Sequence, residues 1–350
     1  MIQVYKKFFK DKKVLITGNT GFKGTWLTHF FIFCGSKVLG ISNDFVSNPS
    51  IFKILKTDKR IQNKKIDILD FKNLKKNIKI FKPHYIFHLA AQSLVSYSHK
   101  YPKKTFETNF NGTLNILEIA KNLKSLKGII LVTSDKCYDI NHKKNRFSET
   151  DPLGGNDPYS SSKGSTEILL KHFFQIFRNK NIAISSVRAG NVIGGGDWGK
   201  DRLIPDIIRS VKNKKKLIVR NPNHIRPWQH VFDCLNGYIL LMTKQVQNPK
   251  KYSGNYNIGP NNVTKIRVKD IVKIFSKEFK FKYKYIKKNI LSETKILRLN
   301  TFKSKKVLNF SSKLTLINSI DLTINWYKNY LNKQNMKVIT EKQIKDYFSK

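Results

Sequence analysis

In Tyr159-Ser-Ser-Ser-Lys163 a phenol and an ammonium stand four residues apart, the spacing that puts both on one face of a helix. Together they form an acid–base pair. A free tyrosine titrates near ~10, too high for a base at neutral pH, and a neighbouring cation such as Lys163 is expected to lower it by favouring the phenolate. A second run, Thr133-Ser-Asp-Lys-Cys-Tyr138, offers a hydroxyl at Ser134, a carboxyl at Asp135 and an amine at Lys136. Ser134 can hydrogen-bond a substrate hydroxyl that Tyr159 deprotonates, and Asp135 and Lys136 add proton-transfer groups. Taken alone, Ser134 and Asp135 also read as a turn or a helix cap.

A third run, Val14-Leu-Ile-Thr-Gly-Asn-Thr-Gly-Phe-Lys-Gly24, spaces Gly18, Gly21 and Gly24 as G-x-x-G-x-x-G between a strand pattern and a helix pattern. Glycines there permit a tight turn and let backbone N–H groups and a helix N-terminus approach a pyrophosphate. A purely structural turn is the alternative, and the strand–turn–helix context favours a dinucleotide. Its expected contacts are Gly18, Gly21, Phe22 and Gly24, then Ala90 after the fourth strand, with Tyr159 and Lys163. Asn43 or Asp44 after the second strand can bond the adenosine ribose, and Asp67 after the third can serve the adenine side, with turn or N-cap as its plainer reading. No Arg follows the second strand to meet a 2′-phosphate, so the cofactor expected is NAD rather than NADP.

The elements that must position these groups alternate. Strand patterns fall at 14–17, 37–41, 65–68, 85–89, 129–133 and 183–188, with amphipathic stretches at 26–34, 71–81, 105–122 and 159–177 between them. Apolar, non-alternating strands separated by helices imply an α/β fold, a doubly wound parallel sheet of Rossmann type covered on both faces, with ligands at the carboxyl ends of the strands. After about Asn191, glycine and proline punctuate shorter elements. The expected division is a dinucleotide-binding domain over 1–190, to which segments near 229–260 return, and a smaller substrate domain over 191–350.

Composition narrows the partners. The chain has 350 residues, with 67 Lys and Arg against 23 Asp and Glu, a formal net charge of +44. Such a balance first suggests a polyanion. Only ten of the cations are Arg, however, and Lys, Asn, Ile and Phe crowd the whole chain, as A/T-rich codons would produce. The cations are scattered and no nucleic-acid-binding motif appears, so a non-catalytic NAD-binding module on nucleic acid is the lesser reading. A 40% hydrophobic content excludes a disordered polycation. Three distant cysteines, Cys34, Cys137 and Cys234, suit a reducing compartment and supply no metal-ligand spacing. With no signal-like N-terminus and no membrane-length apolar run, the expectation is a cytoplasmic protein with no metal.

The glycine turn, Ser134 and Tyr159-x-x-x-Lys163 resemble the extended short-chain dehydrogenase/reductase family, and within its sugar-nucleotide branch the CDP-glucose 4,6-dehydratases. The resemblance runs from about Val14 to Leu331. It rests further on Ser134-Asp-Lys-Cys-Tyr138, Asp157-Pro-Tyr-Ser160, Arg188-Ala-Gly-Asn-Val-Ile-Gly-Gly-Gly-Asp-Trp198, Asp201-Arg202 and Arg220-Asn-Pro-Asn-His-Ile-Arg-Pro-Trp-Gln-His-Val231. Lys136 matches the CDP-glucose enzymes, where dTDP-glucose dehydratases carry Glu. The near alternatives are a dTDP-glucose 4,6-dehydratase and a 4-epimerase. The resemblance implies that CDP-glucose is oxidised at C4 by NAD with Tyr159 as base, loses water across C5–C6 through Lys136 and Asp135, and is reduced at C6. Lys136 either removes the C5 proton or orients a water or the 6-hydroxyl.

It also implies a diphosphate site. Guanidinium forks grip phosphate oxygens bidentately, and Arg202, Arg220, Arg226 and Arg298 are the candidates, with Asn191 as a phosphate or substrate amide ligand. Arg188, on a strand, reads as structural. One departure is Gln92-Ser-Leu-Val-Ser96, where the family usually has Arg at the last position; His99 replaces a Tyr of the same loop and reads as a solvated residue. A homodimer or higher homo-oligomer, paired through the helices near 105–122 and 159–177, is the family expectation.

Overall fold

The structure, a computed structural model, describes residues 1–45, 47–141, 146–261, 266–286 and 298–349. Seven strands among them form one parallel sheet: β1 (Lys13–Thr17), β2 (Lys37–Ser42), β3 (Gln62–Lys65), β4 (Tyr85–His88), β5 (Gly128–Val132), β6 (Ala183–Ala189) and β7 (Gly254–Ile258). Their order is β7-β6-β5-β4-β1-β2-β3. The chain runs outward from β1 in one direction and then restarts from β4 in the other. That reversal opens a crevice at the carboxyl ends of β1 and β4.

Neighbouring residues in the central strands face opposite sides, as the period of two demands. Ile16, Phe87 and Ile130 enter one apolar cluster, and Leu15, Ile86 and Ile129 enter the other. Helix α1 (Phe22–Phe33) covers the first face with Trp26, Phe30 and Phe31. On the second face lie α2 (Gly112–Ala120), with Ile116 and Leu117, and α3 (Pro158–Asn179), with Leu170, Phe173 and Phe177. Helix α4 (Val231–Gln247) adds Tyr238, Ile239 and Met242 to the first face before the chain enters β7. Residues from the later half thereby build the sheet and one of its covering layers.

Two expected elements differ. The third strand lies at 62–65 rather than 65–68. Its residues, Gln-Asn-Lys-Lys, are polar because it is an edge strand with little to bury, while the apolar signal at 66–68 came from Ile68, which is buried in the cluster with α2 rather than in the sheet. The stretch 105–122 is not one regular helix. A short helix, Pro102–Phe106, passes through a π turn at Glu107–Asn111 into α2. The wide turn places Asn109 inward, where its amide donates to Gln92 O at 3.0 Å and Ser162 Oγ at 2.9 Å. No helix among the described residues is long and apolar enough to cross a membrane.

Candidate active site

A cavity of about 1050 Å³ occupies the crevice at the strand ends. Its wall includes every residue expected from the sequence to bind cofactor or do chemistry, and all the expected substrate ligands except Arg298.

The cofactor end is built by the turn between β1 and α1. Gly18 has φ +73°, in the left-handed region, and a Cβ there would come within 2.7 Å of Ala90 N. A Cβ on Gly24 would sit 2.1 Å from Gly18 O, so this glycine lets the helix close on the turn. No side chain caps α1, which begins just after Gly21, so the N–H groups of its first turn present a positive helix end to the cavity. A pyrophosphate fits such a cradle. Beyond β2, Asn43 donates to Asp67 Oδ2 at 3.2 Å, while Asp67 Oδ1 accepts from Leu69 N at 2.9 Å. Asp67 therefore shapes a turn and still faces the cavity, two residues past the end of β3. Asp44 accepts the Thr20 hydroxyl through its backbone oxygen at 2.7 Å, tying the acidic loop to the glycine turn. Arg60, between β2 and β3, is engaged by Glu341 at 2.6 Å and does not line the cavity. The donor set suits a ribose with free hydroxyls better than a 2′-phosphate.

The reactive groups stand at the middle. Ser134 follows β5 and caps a short turn at Asp135–Cys137, accepting from Lys136 N at 3.2 Å, and it also lines the cavity. Its hydroxyl donates to Asp135 Oδ1 at 3.1 Å. Tyr159 and Lys163 lie in the first two turns of α3, whose start is set by Pro158 and by Asp157, which accepts from Ser160 N at 3.0 Å. Lys163 Nζ donates to Val132 O at 3.3 Å, at the end of β5.

Burial dominates the electrostatics. It pushes the Tyr159 phenol up to about 12, against the lowering by Ser134 and Arg202, and Asp135 and Asp157 raise it further. Ser134 and Arg202, rather than Lys163, lead the lowering, and the desolvation of a buried phenolate outweighs them. Lys163 itself is pushed down to about 8, first by burial and then by the Lys23 charge. Burial also holds Asp135 above the ordinary carboxylate range, although Lys136, Ser134, Lys23 and Arg226 all pull it down. A carboxyl held so is suited to donate a proton.

Behind this loop lies a network the sequence did not disclose. Glu167, one turn beyond Lys163, is buried and accepts from Arg188 Nη2 at 2.7 Å, Ser186 Oγ at 2.9 Å and Thr133 Oγ1 at 2.5 Å. Arg188 donates also to Tyr138 Oη at 2.9 Å, and Tyr138 donates to Asn257 Oδ1 at 2.6 Å. Arg188 is thus structural, as read, and it helps position the segment carrying Ser134 to Lys136. The i, i+4 spacing of Lys163 and Glu167 was the available signal for the acid. Lys23, inside the glycine run, was also missed. It lines the cavity, its charge acts on both Lys163 and Asp135, and a lysine between two glycines was the clue.

At the substrate end Arg202 pairs with the buried Asp197 at 3.0 Å, which favours its charged form. Arg220 meets Asp201 at 3.4 Å, and Asp201 accepts from Ser96 Oγ at 2.9 Å. Arg226 Nη2 contacts His224 Nδ1 at 3.0 Å. Asn191 contributes its backbone oxygen to Gln229 N at 3.0 Å. Arg298 stands apart from the cavity lining. Its backbone oxygen accepts from Phe147 N at 2.9 Å, beside the small cluster of Cys137, Tyr138, Phe147 and Leu299. His99 is exposed and sits on a short helix, Val95–Lys100, at the cavity rim. No cluster of three or more metal-ligating side chains occurs among the described residues.

A family model described as GDP-mannose 4,6 dehydratase matches residues 15–322. The chain belongs to that 4,6-dehydratase family. Among curated relatives of this 4,6-dehydratase-family chain, the CDP-glucose 4,6-dehydratase of Salmonella typhimurium is 37% identical, over 98% of each chain. The dTDP-glucose 4,6-dehydratase of Haemophilus influenzae is 27% identical, over 71% of this chain and 74% of its own. In solved structures the fold matches a Bacillus anthracis dTDP-glucose 4,6-dehydratase in complex with NAD, with TM-score 0.75, 22% identity, and 92% and 98% of the two chains covered. It equally matches a Thermotoga maritima UDP-glucose 4-epimerase with UDP-glucose, at TM-score 0.77 and 22% identity over 91% and 99%. The likeness to the epimerase establishes the shared Rossmann architecture, while the family membership and the 37% relative bear on the reaction.

Proposed function

We propose that the protein dehydrates CDP-glucose to CDP-4-dehydro-6-deoxyglucose, as an NAD-dependent lyase. The observation that carries this reading is one cavity wall that holds, in order, the glycine cradle, the set Ser134, Asp135, Lys136, Tyr159 and Lys163, and the cations Arg202, Arg220 and Arg226. The 37% identity to a full-length CDP-glucose 4,6-dehydratase supports the nucleotide.

Bound NAD supplies the acceptor of the C4 hydride and its later donor to C6. Gly18, Gly21, Phe22 and Gly24 would hold the pyrophosphate, with Asn43, Asp44 and Asp67 toward the adenosine and Ala90 along the crevice. Tyr159 removes the 4-hydroxyl proton, assisted by a hydrogen bond from Ser134. Burial favours its neutral form, and Ser134 and Arg202 favour the phenolate that the transfer forms. Once C4 is a ketone, the hydrogen at C5 is acidified. Asp135, whose protonated form burial favours, gives its proton to the departing 6-hydroxyl. Lys136 stands next to it, placed to take the C5 proton or to orient the hydroxyl. Arg202, Arg220 and Arg226, with Asn191, grip the diphosphate. Residues 1–190 with the returning β7 and α4 form the cofactor half, and residues from 191 onward most of the substrate half. The protein works as a homodimer or higher homo-oligomer in the cytoplasm.

The test is a panel of CDP-, dTDP-, UDP- and GDP-linked sugars with purified protein, read by the alkali-induced absorbance of a 4-keto product. Keto sugar from CDP-glucose above the others supports the reading. Preference for dTDP-glucose rejects the nucleotide, and an epimer in place of a keto sugar rejects dehydration.

A further inference from the structure

Asp201 is an anion at the mouth of a cavity read as a diphosphate site. It sits in a tight left-handed turn at φ +58°, just before Arg202. Its carboxylate joins two otherwise separate walls. Oδ2 accepts from Ser96 Oγ at 2.9 Å, on the short helix Val95–Lys100 that follows β4, and Oδ1 accepts from Arg220 Nη2 at 3.4 Å, at the end of the strand Leu217–Arg220. All three residues line the cavity.

The two ends of this bridge are unequal. The Ser96 bond is of ordinary length and neutral donor type, whereas the Arg220 contact is long, and both its members are exposed, 36% for Arg220 and 50% for Asp201. An exposed pair of that geometry is worth little. A diphosphate brings two charges and several oxygens to the same guanidinium and can engage it bidentately. The exchange therefore runs toward the substrate, and Asp201 has a serine to hold it back when Arg220 turns away. Arg202 is held more firmly, by the buried Asp197 at 3.0 Å.

We propose that Asp201 is a place-holding counter-anion, a specificity-determining residue that presents Arg220 before substrate arrives and yields it to the nucleotide's phosphates, with Ser96 anchoring the carboxylate. This rests on the reading of the cavity as a nucleotide-sugar site. It sets affinity by competition, so the phosphate must outbid a carboxylate that is always present. Ligands with a single weak anion are disfavoured.

Asp201→Asn tests this cleanly. Asn tolerates the left-handed turn, and its amide oxygen still accepts from Ser96, so only the charge leaves. Binding of CDP, measured by calorimetry, is expected to tighten by about two- to fivefold. In an Arg220→Gln background the same change is expected to have no more than a marginal effect, because there is no guanidinium to release. Weakened or unchanged CDP binding in Asp201→Asn overturns the proposal, as does equal tightening with and without Arg220, which would be mere removal of negative charge. If the wild-type protein binds UDP, dTDP or GDP but not CDP, the nucleotide reading fails and the same cycle on that nucleotide still decides the role of Asp201. If it binds none of them, both readings fall.

Discussion

The Glu167 carboxylate and the Arg188 guanidinium meet at 2.7 Å in the interior, each essentially without solvent, directly behind the segment that carries Ser134 and Asp135. Glu167 is fully coordinated there by Arg188, Thr133 and Ser186. Replacing it with Gln keeps the shape and removes the charge that Arg188 needs. A guanidinium left buried without its anion costs about 3–5 kcal/mol. We expect Glu167→Gln to lower the urea midpoint accordingly and to reduce turnover through the displaced Thr133–Ser134 segment. Unchanged stability would show that the pair is not what supports the loop.

Lys163 provides a second prediction, in the opposite direction. Its amine is buried and pushed down to about 8 from an ordinary ~10.5, so the folded protein binds that proton less well than the unfolded chain. Below about pH 8 the folded state carries a disfavoured buried charge, on the order of 3 kcal/mol, and the penalty fades as pH rises from about 8 toward 10.5. Lys163→Met is expected to be inactive but more stable than the parent at pH 7, with the gap closing by about pH 10. Denaturation curves across that range measure it. A variant less stable at pH 7 and unresponsive to pH would contradict the electrostatic account.

Tyr159→Phe removes the hydroxyl and little else from a helix already capped by Asp157. Keto-sugar formation should fall by orders of magnitude while NAD, which the proposed site holds chiefly at the glycine turn, still binds with similar affinity. Measuring both on one preparation separates the roles, and retained turnover would remove Tyr159 from the chemistry.

Much of this site was legible because its parts are local in sequence. The glycine turn, the Ser134–Lys136 run and the Tyr159/Lys163 spacing each declare themselves within a few residues, and strand–helix alternation puts them at one sheet edge. What escaped is long-range or depends on burial. Glu167 looks like any helical acid until Arg188 arrives from β6. The polar edge strand 62–65 carries no apolar signature, so the reading drifted to Ile68. The π turn at 107–111 is set by Asn109 reaching Gln92 and Ser162, contacts that a periodicity cannot show. The high position of Tyr159 follows from solvent exclusion, which the Tyr–Lys spacing alone does not reveal.

The central claim is that one cavity oxidises C4, eliminates water across C5–C6 and reduces C6 without releasing the sugar. CDP-glucose carrying deuterium at C4 tests it most directly, with the product's label located by mass spectrometry and NMR. The account predicts CDP-4-dehydro-6-deoxyglucose with deuterium at C6. Deuterium returned to C4 of an epimerised sugar, or a keto sugar whose label has been lost to solvent, would contradict it.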